Sequence, residues 1–259
     1  MSWASRRQGQ YLGGVVAIVA LVVFWLFIYP LITKPISCFD NKQNGTETGV
    51  DCGGSCSLVC TDTVSIPPVL WSRAFPVTGS VYNLVALIEN QNKNSGVQSA
   101  AYEFKIYDTN NKLIGRRDGT TFIPPNQDLA IFEPRFDAGQ TKIRSVSFEF
   151  TEPLVWVKRA PTLQTLPLHV DNIVFATDND SPTLTARISN DSIYNLPGFD
   201  IVAILYDADH NAINVSKTHK DSLVSNSNAL LLFTWPQSFS ATPVTEDILP
   251  QINPFTVNF

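Results

Sequence analysis

Phe104-Lys105-Ile106-Tyr107-Asp108 and Ala203-Ile204-Leu205-Tyr206-Asp207 are two renderings of one phrase, set 99 residues apart. Each is a short apolar strand running into a turn, Asp108-Thr109-Asn110-Asn111 in one case and Asp207-Ala208-Asp209-His210-Asn211 in the other. Period-2 alternation puts Tyr102, Phe104 and Ile106 on one strand face and Lys105 and Tyr107 on the other. The aspartate opens the turn, where its carboxylate can accept backbone N–H bonds. Two more landmarks keep almost the same spacing: Ala86–Asn90 with Ala186–Asn190 at 100, and Phe132 with Phe233 at 101. Three landmarks at nearly one offset predict two copies of a domain of roughly 100 residues, the immunoglobulin-like size.

Working outward, the same alternation recurs at Tyr82–Ile88, Val146–Phe150, Leu184–Ile188 and Phe199–Tyr206, with Asn, Asp, Gly and Pro turns between. No helical period of useful length follows Thr61. The expected class is mainly β: an N-terminal transmembrane α-helix, a small disulfide-stapled knuckle, and two tandem immunoglobulin-like β-sandwiches at 62–160 and 161–259. The boundary between the sandwiches is expected near 158–164, where Lys158-Arg159 precedes Pro161. Trp71, Trp156 and Trp235 lie in strand-like contexts and are expected in the core.

The repeated phrase resembles the signature of the FxLYD and LEA-14-like group of β-sandwich domains. In that group an N-x-[NS] turn follows one strand, and a [FI]-x-[LI]-Y-D strand leads into a hairpin. Asn90, Tyr107 and Asp108 match it in the first copy, and Asn190, Tyr206 and Asp207 in the second. Ala203 departs from the aromatic first position. The resemblance implies a fold over roughly 65–157 and 165–259 and carries no function.

At the other end of the chain, the 22 residues from Tyr11 to Ile32 carry no charge. Such a run crosses a hydrocarbon core of about 30 Å and has to satisfy its own backbone there, so it is expected to be a helix, with the anchor at 12–32. Arg6 and Arg7 precede it and only Lys34 follows closely, which predicts a cytoplasmic N-terminus (1–11) and extracytoplasmic domains. A cleaved signal peptide is the rival reading. The apolar run is long for one, and no A-x-A site follows it.

Cys38, Cys52, Cys56 and Cys60 fall within 23 residues, in a knuckle expected at 33–61. Clustered in even number just past an anchor, they read as two disulfides, with three pairings open. Zinc is a poor fit, because Cys-x₃-Cys-x₃-Cys is neither ribbon nor finger spacing. Calcium is the alternative worth testing: Asp40, Asn44, Glu47 and Asp51 are oxygen donors around a glycine turn, although EF-hand spacing is absent. The competing reading makes them turn caps. The same choice arises at Asp207-Ala208-Asp209-His210-Asn211, which we read as a hairpin. The string C-x-D-x-x-x-N-G-x-E-T-x-V-D-C-G-G-x-C resembles a short cysteine-rich module of exported archaeal and bacterial surface proteins, and that resemblance implies an envelope-facing location.

A net charge of −5 with no basic patch past residue 35 argues against nucleic acid as a partner. No G-x-S-x-G, H-E-x-x-H or P-loop string occurs, so no catalytic residue is expected. His169 is expected to face solvent from a strand, His210 to lie in a hairpin turn and His219 in a loop. Sequons stand at Asn44, Asn190 and Asn214. The leading expectation is a non-enzymatic, membrane-anchored envelope protein that binds or scaffolds a protein or glycan partner. The alternatives are an accessory subunit of a secretion or surface-fibre complex, and a calcium-dependent module or hydrolase.

Overall fold

The computed structural model describes residues 3–32, 37–159, 168–178 and 181–256. The expected sandwich boundary at 160/161 and the flanking Lys34 lie outside them. The described chain divides into two compact units, residues 1–56 and 57–259.

In the first unit the chain is helical from Trp3 to Ile32, as α1 (Trp3–Val23), a π-helical turn (Phe24–Ile28) and α2 (Tyr29–Ile32). The helix thus starts well before the apolar run and carries it without a break. Residues 8–28 form a stretch long and apolar enough to cross a membrane, and none of it is buried against protein. Pro30 accounts for the π-turn. Its ring crowds the carbonyl four residues back, and a wider turn relieves that clash. The amide of Tyr29 bonds to the carbonyl of Phe24, five residues back, and the Trp25 and Tyr29 rings lie 4.3 Å apart on the same stretch.

The second unit is antiparallel β throughout its pairings. Its first half contains β1 (Val69–Thr78), β2 (Val81–Asn90), β3 (Ser95–Asp108), β4 (Leu113–Ile123), β5 (Gln127–Asp137), β6 (Ile143–Phe150) and β7 (Trp156–Lys158). The second half contains β8 (Leu168–Asp178), β9 (Ser181–Asn190), β10 (Phe199–Tyr206), β11 (Ala212–Lys220), β12 (Ser227–Thr234) and β13 (Thr245–Gln251). Strands order as β1-β2-β5 and β4-β3-β6 in the first half, with β7 added on β3, and as β8-β9-β12 and β11-β10-β13 in the second. One strand order therefore occurs twice.

Each half closes its two sheets over its own core. Tyr102, Phe104 and Ile106 point into the first core with Leu84, Ile88 and Trp156. Ala203 and Leu205 point into the second with Leu184, Ile188 and Trp235. Ala203, the departure from the aromatic pattern, is fully buried there. Trp156 and Trp235 are core residues as expected, whereas Trp71 is half-buried and packs elsewhere.

A third apolar cluster joins the halves. Phe75 of β1 with Val85 and Leu87 of β2 packs on Val202, Ile204 and Tyr206 of β10, and Trp71 adds to its edge. The outer face of β1-β2-β5 is therefore covered by the outer face of β11-β10-β13, and the four sheets form one stack. Arg73 crosses the seam to donate to the carbonyl of Ala212 at 3.0 Å, and Gln251 donates back to the carbonyl of Ala130. The Lys217 ammonium sits 5.4 Å from the centre of the Phe132 ring. With burial of each large apolar side chain contributing about 1.5–3 kcal/mol, the halves are fused and not joined by a free hinge. The C-terminal stretch returns to the first half: Phe255 lies so close to Gly96 that a Cβ there would come within 2.9 Å of its ring, and Arg159 stacks on its face at 5.8 Å.

Candidate functional site

The knuckle gathers the residues with the most chemistry. Cys38 pairs with Cys56, Cys52 and Cys60 are disulfide-bonded too, and no described cysteine is free. Of the three pairings left open by the sequence, the one containing Cys38–Cys56 is the one formed. No thiolate is left to hold zinc.

Asp40, Glu47 and Asp51 spend their oxygens locally, whereas Asn44 spends its side-chain NH₂ and buries its side-chain oxygen without a hydrogen-bond partner. The two carboxylate oxygens of Asp51 accept the amides of Asp40 and Asn41, each at 2.9 Å. Asp40 accepts the amide of Lys42 at 3.0 Å with one oxygen and the side-chain amide of Asn44 at 2.9 Å with the other. Glu47, buried, accepts the amide of Asn44 at 3.0 Å, and its second oxygen lies 3.3 Å from the Cys56 sulfur. That sulfur carries no proton, so the last contact is a close approach and not a hydrogen bond. Among the described residues, the only group of three or more His, Cys, Asp or Glu donors lying within 4.8 Å of one another is Cys38, Glu47 and Cys56. Asp40 and Asp51 do not join Glu47 in one donor set.

The glycines of the motif have steric reasons. At Gly53, with φ +77°, a Cβ would fall 1.8 Å from the Thr48 hydroxyl oxygen. At Gly54, with φ +50°, it would fall 1.8 Å from the Thr46 carbonyl oxygen. The Thr46 hydroxyl in turn bonds Ser55 through the serine amide and hydroxyl, at 3.0 and 2.9 Å. Nearly every polar position of the string thus holds the loop's own shape.

The repeat-signature residues do parallel work. Asn90 and Asn190 are both buried. Asn90 donates to the carbonyls of Ser95 and Pro124 at 2.9 and 2.7 Å, and its own carbonyl accepts the Asn92 amide. Asn190 donates to the carbonyls of Tyr194, Leu223 and Val224, and accepts from the Ser192 amide and hydroxyl. One carboxylate oxygen of Asp108 accepts the amides of Asn110 and Lys112, and one of Asp207 those of Asp209 and Asn211. Tyr107 and Tyr206 precede them; Tyr206 lies in the seam between the halves and stacks on His210 at 4.8 Å. The sequons at Asn190 and Asn214 sit on buried side chains, and Asn44 spends its amide on Asp40.

One pairing was hidden from sequence reasoning. His219 lies in β11, not in a loop, directly opposite Asp200 of β10. Its Nδ1 is 2.7 Å from one Asp200 oxygen, and Lys217 reaches the other at 2.9 Å. Burial pushes the Asp200 carboxyl up, but the contacts from His219 and Lys217 win and hold it below the usual carboxylate range. The stretch Val215–His219 holds a single apolar residue, so no alternation marked it as strand. His169, exposed as expected, lies 3.5 Å from Asp191. A shallow apolar groove of about 420 Å³ opens between Val64, Ile66, Phe150, Leu154 and Trp156.

No family model matches the chain, and no curated protein does. Among solved structures, the crystal structure of red sea bream transglutaminase is similar over 73% of this chain and 31% of that one, at 12% identity and a TM-score of 0.26. At that score the likeness carries no argument about fold or activity.

Proposed function

We propose that the chain is a non-enzymatic, single-pass membrane protein whose knuckle and β unit lie outside the cytoplasm, where the β unit binds or scaffolds an envelope partner. One observation carries this. The apolar stretch 8–28 has no protein cover, whereas each sandwich folds most of its large apolar side chains into a core. Leaving these fourteen large apolar side chains in water is untenable, and lipid is the solvent that fits them. The disulfides support an oxidising side for everything after the helix. Arg6 and Arg7 before the apolar stretch support a cytoplasmic N-terminus.

The two halves are read as copies of one FxLYD or LEA-14-like domain. Shared strand order and matching roles for Asn90 and Asn190, and for Asp108 and Asp207, support that kinship. The side chains that bear on chemistry are engaged in turns and cross-strand pairs, which favours presentation of a surface over turnover.

The test is thiol labelling on intact cells combined with alkaline extraction of membranes. The chain should stay with the membrane, and its cysteines should react with an impermeant maleimide only after an impermeant reductant is added. Cysteines that react with a permeant maleimide without any reductant, and are shielded from the impermeant one, would place them in the cytosol and reverse the topology.

A further inference from the structure

Glu47 is the buried charged side chain of the knuckle, 8% exposed, and the turn it caps uses only half of it. One carboxylate oxygen accepts the Asn44 amide at 3.0 Å. The other lies 3.3 Å from the Cys56 sulfur, which is bonded to Cys38 and has no proton to give. A buried carboxylate oxygen that faces no donor is unfavourable, and a neutral acceptor at this position would cap the turn without it.

The two sulfurs of the bond are unequal. Cys56 is 1% exposed, whereas Cys38 is half-buried. A thiolate arriving from solvent therefore reaches Cys38 and not Cys56. Its attack forms a new sulfur–sulfur bond at Cys38, breaks Cys38–Cys56 and sends the electron pair out on the Cys56 sulfur. The rate of such an exchange depends on access and on how readily the leaving sulfur carries its charge. Here the leaving thiolate would be formed in a buried pocket beside the Glu47 carboxylate, like charge against like charge where water screens poorly.

We propose that Glu47 is an electrostatic guard on the Cys38–Cys56 bond, closing its one accessible route of thiol exchange by making Cys56 a poor leaving group. The guard acts on the barrier and not on the equilibrium. Once Cys56 has taken up a proton it can donate to the same oxygen, so the reduced state is not disfavoured in the same way. The device is contained within residues 38–56 and stands whichever side of a membrane the knuckle occupies. Its consequence is a bond that persists among exchanging thiols and keeps its native pairing.

The experiment uses the full chain, oxidised, in detergent. A thiol reagent and, separately, an uncharged phosphine are added, samples are quenched with an alkylating agent, and the Cys38 and Cys56 peptides are followed by mass spectrometry. Glu47→Gln keeps an oxygen for the Asn44 amide and turns an NH₂ towards the sulfur, so the bond should open about ten-fold faster with both reagents. Asp51→Asn removes the same charge from the same loop and disturbs two amide contacts, but Asp51 lies outside the donor group around the sulfurs. It should stay within about two-fold of the wild type. Should Glu47→Gln fail to close the bond, Glu47→Asp takes its place: it draws the carboxylate back by one methylene, and faster opening is again expected. The first mixed disulfide with the thiol reagent should form on Cys38. Opening of the Glu47 variant at the wild-type rate overturns the proposal. So does equal acceleration in Asp51→Asn, which would mean a loosened loop. Acceleration with the thiol reagent alone would mean repulsion of the incoming anion and overturns it too, as does a first adduct on Cys56.

Discussion

Asn90 and Asn190 hold the same post in the two halves: each is buried at the end of a central strand and ties down the carbonyls of a separate loop. Removing such an amide strands several acceptors out of reach of water, and an orphaned buried polar group costs about 1–3 kcal/mol. Asn90→Ala and Asn190→Ala should each lower stability by roughly 2–3 kcal/mol. Denaturant titration checks this, and a loss under about half a kcal/mol for either one would break the parallel.

The seam between the halves makes a second expectation. Ile204 is fully buried in it, between strands of both halves. Ile204→Ala should cost about 2–5 kcal/mol and leave unfolding as one transition in the wild type but two in the variant. Tryptophan fluorescence and circular dichroism followed together would reveal it. Two separate transitions already in the wild type would mean the seam does not couple the halves.

Glu103 predicts a pH dependence. The hydrogen bond from Arg116, and after it that from Lys105, holds its carboxyl below the usual range against the opposing effect of burial. A lowered carboxyl stabilises the fold above its unfolded value of about 4.3, and that contribution disappears as pH falls through the folded value. Glu103→Gln should therefore lower Tm at neutral pH, with the two proteins converging as pH falls through the folded value. A gap that persists in acid would point to lost packing instead.

The knuckle yields a fourth. Closing the loop between Cys38 and Cys56, 18 residues apart, is worth about 3 kcal/mol, but only if the loop can present its sulfurs. Gly54→Ala drives a methyl into the Thr46 carbonyl, which is backbone and cannot step aside. The variant should show free thiols by maleimide labelling without reductant. Fully oxidised cysteines in native pairing would show that the turn tolerates the side chain.

Much of this architecture could be read from single residues. The inward set Tyr102, Phe104 and Ile106 followed from alternation, and the turn role of Asp108 and Asp207 from their place after a strand. What stayed hidden was the seam. Val85 to Ile88 and Ile201 to Tyr206 are unbroken apolar runs. That is how a strand covered on both faces reads, but periodicity cannot say what lies on the second face. The disulfide pairing was equally opaque, because spacing fixes which sulfurs are near in sequence and not which are brought together. Leu230 and Leu232 lie in β12, which alternation did not single out, and only their exposure shows that they point outward.

The return of Phe255 to Gly96 has a practical corollary. Because the Phe255 ring is tucked beside the start of β3, a label attached at Thr256 sits on the flank of the first sandwich. Such a label reports on the neighbourhood of Arg159, and antibodies raised against it would crowd that flank while leaving the leucines of β12 open to whatever meets them.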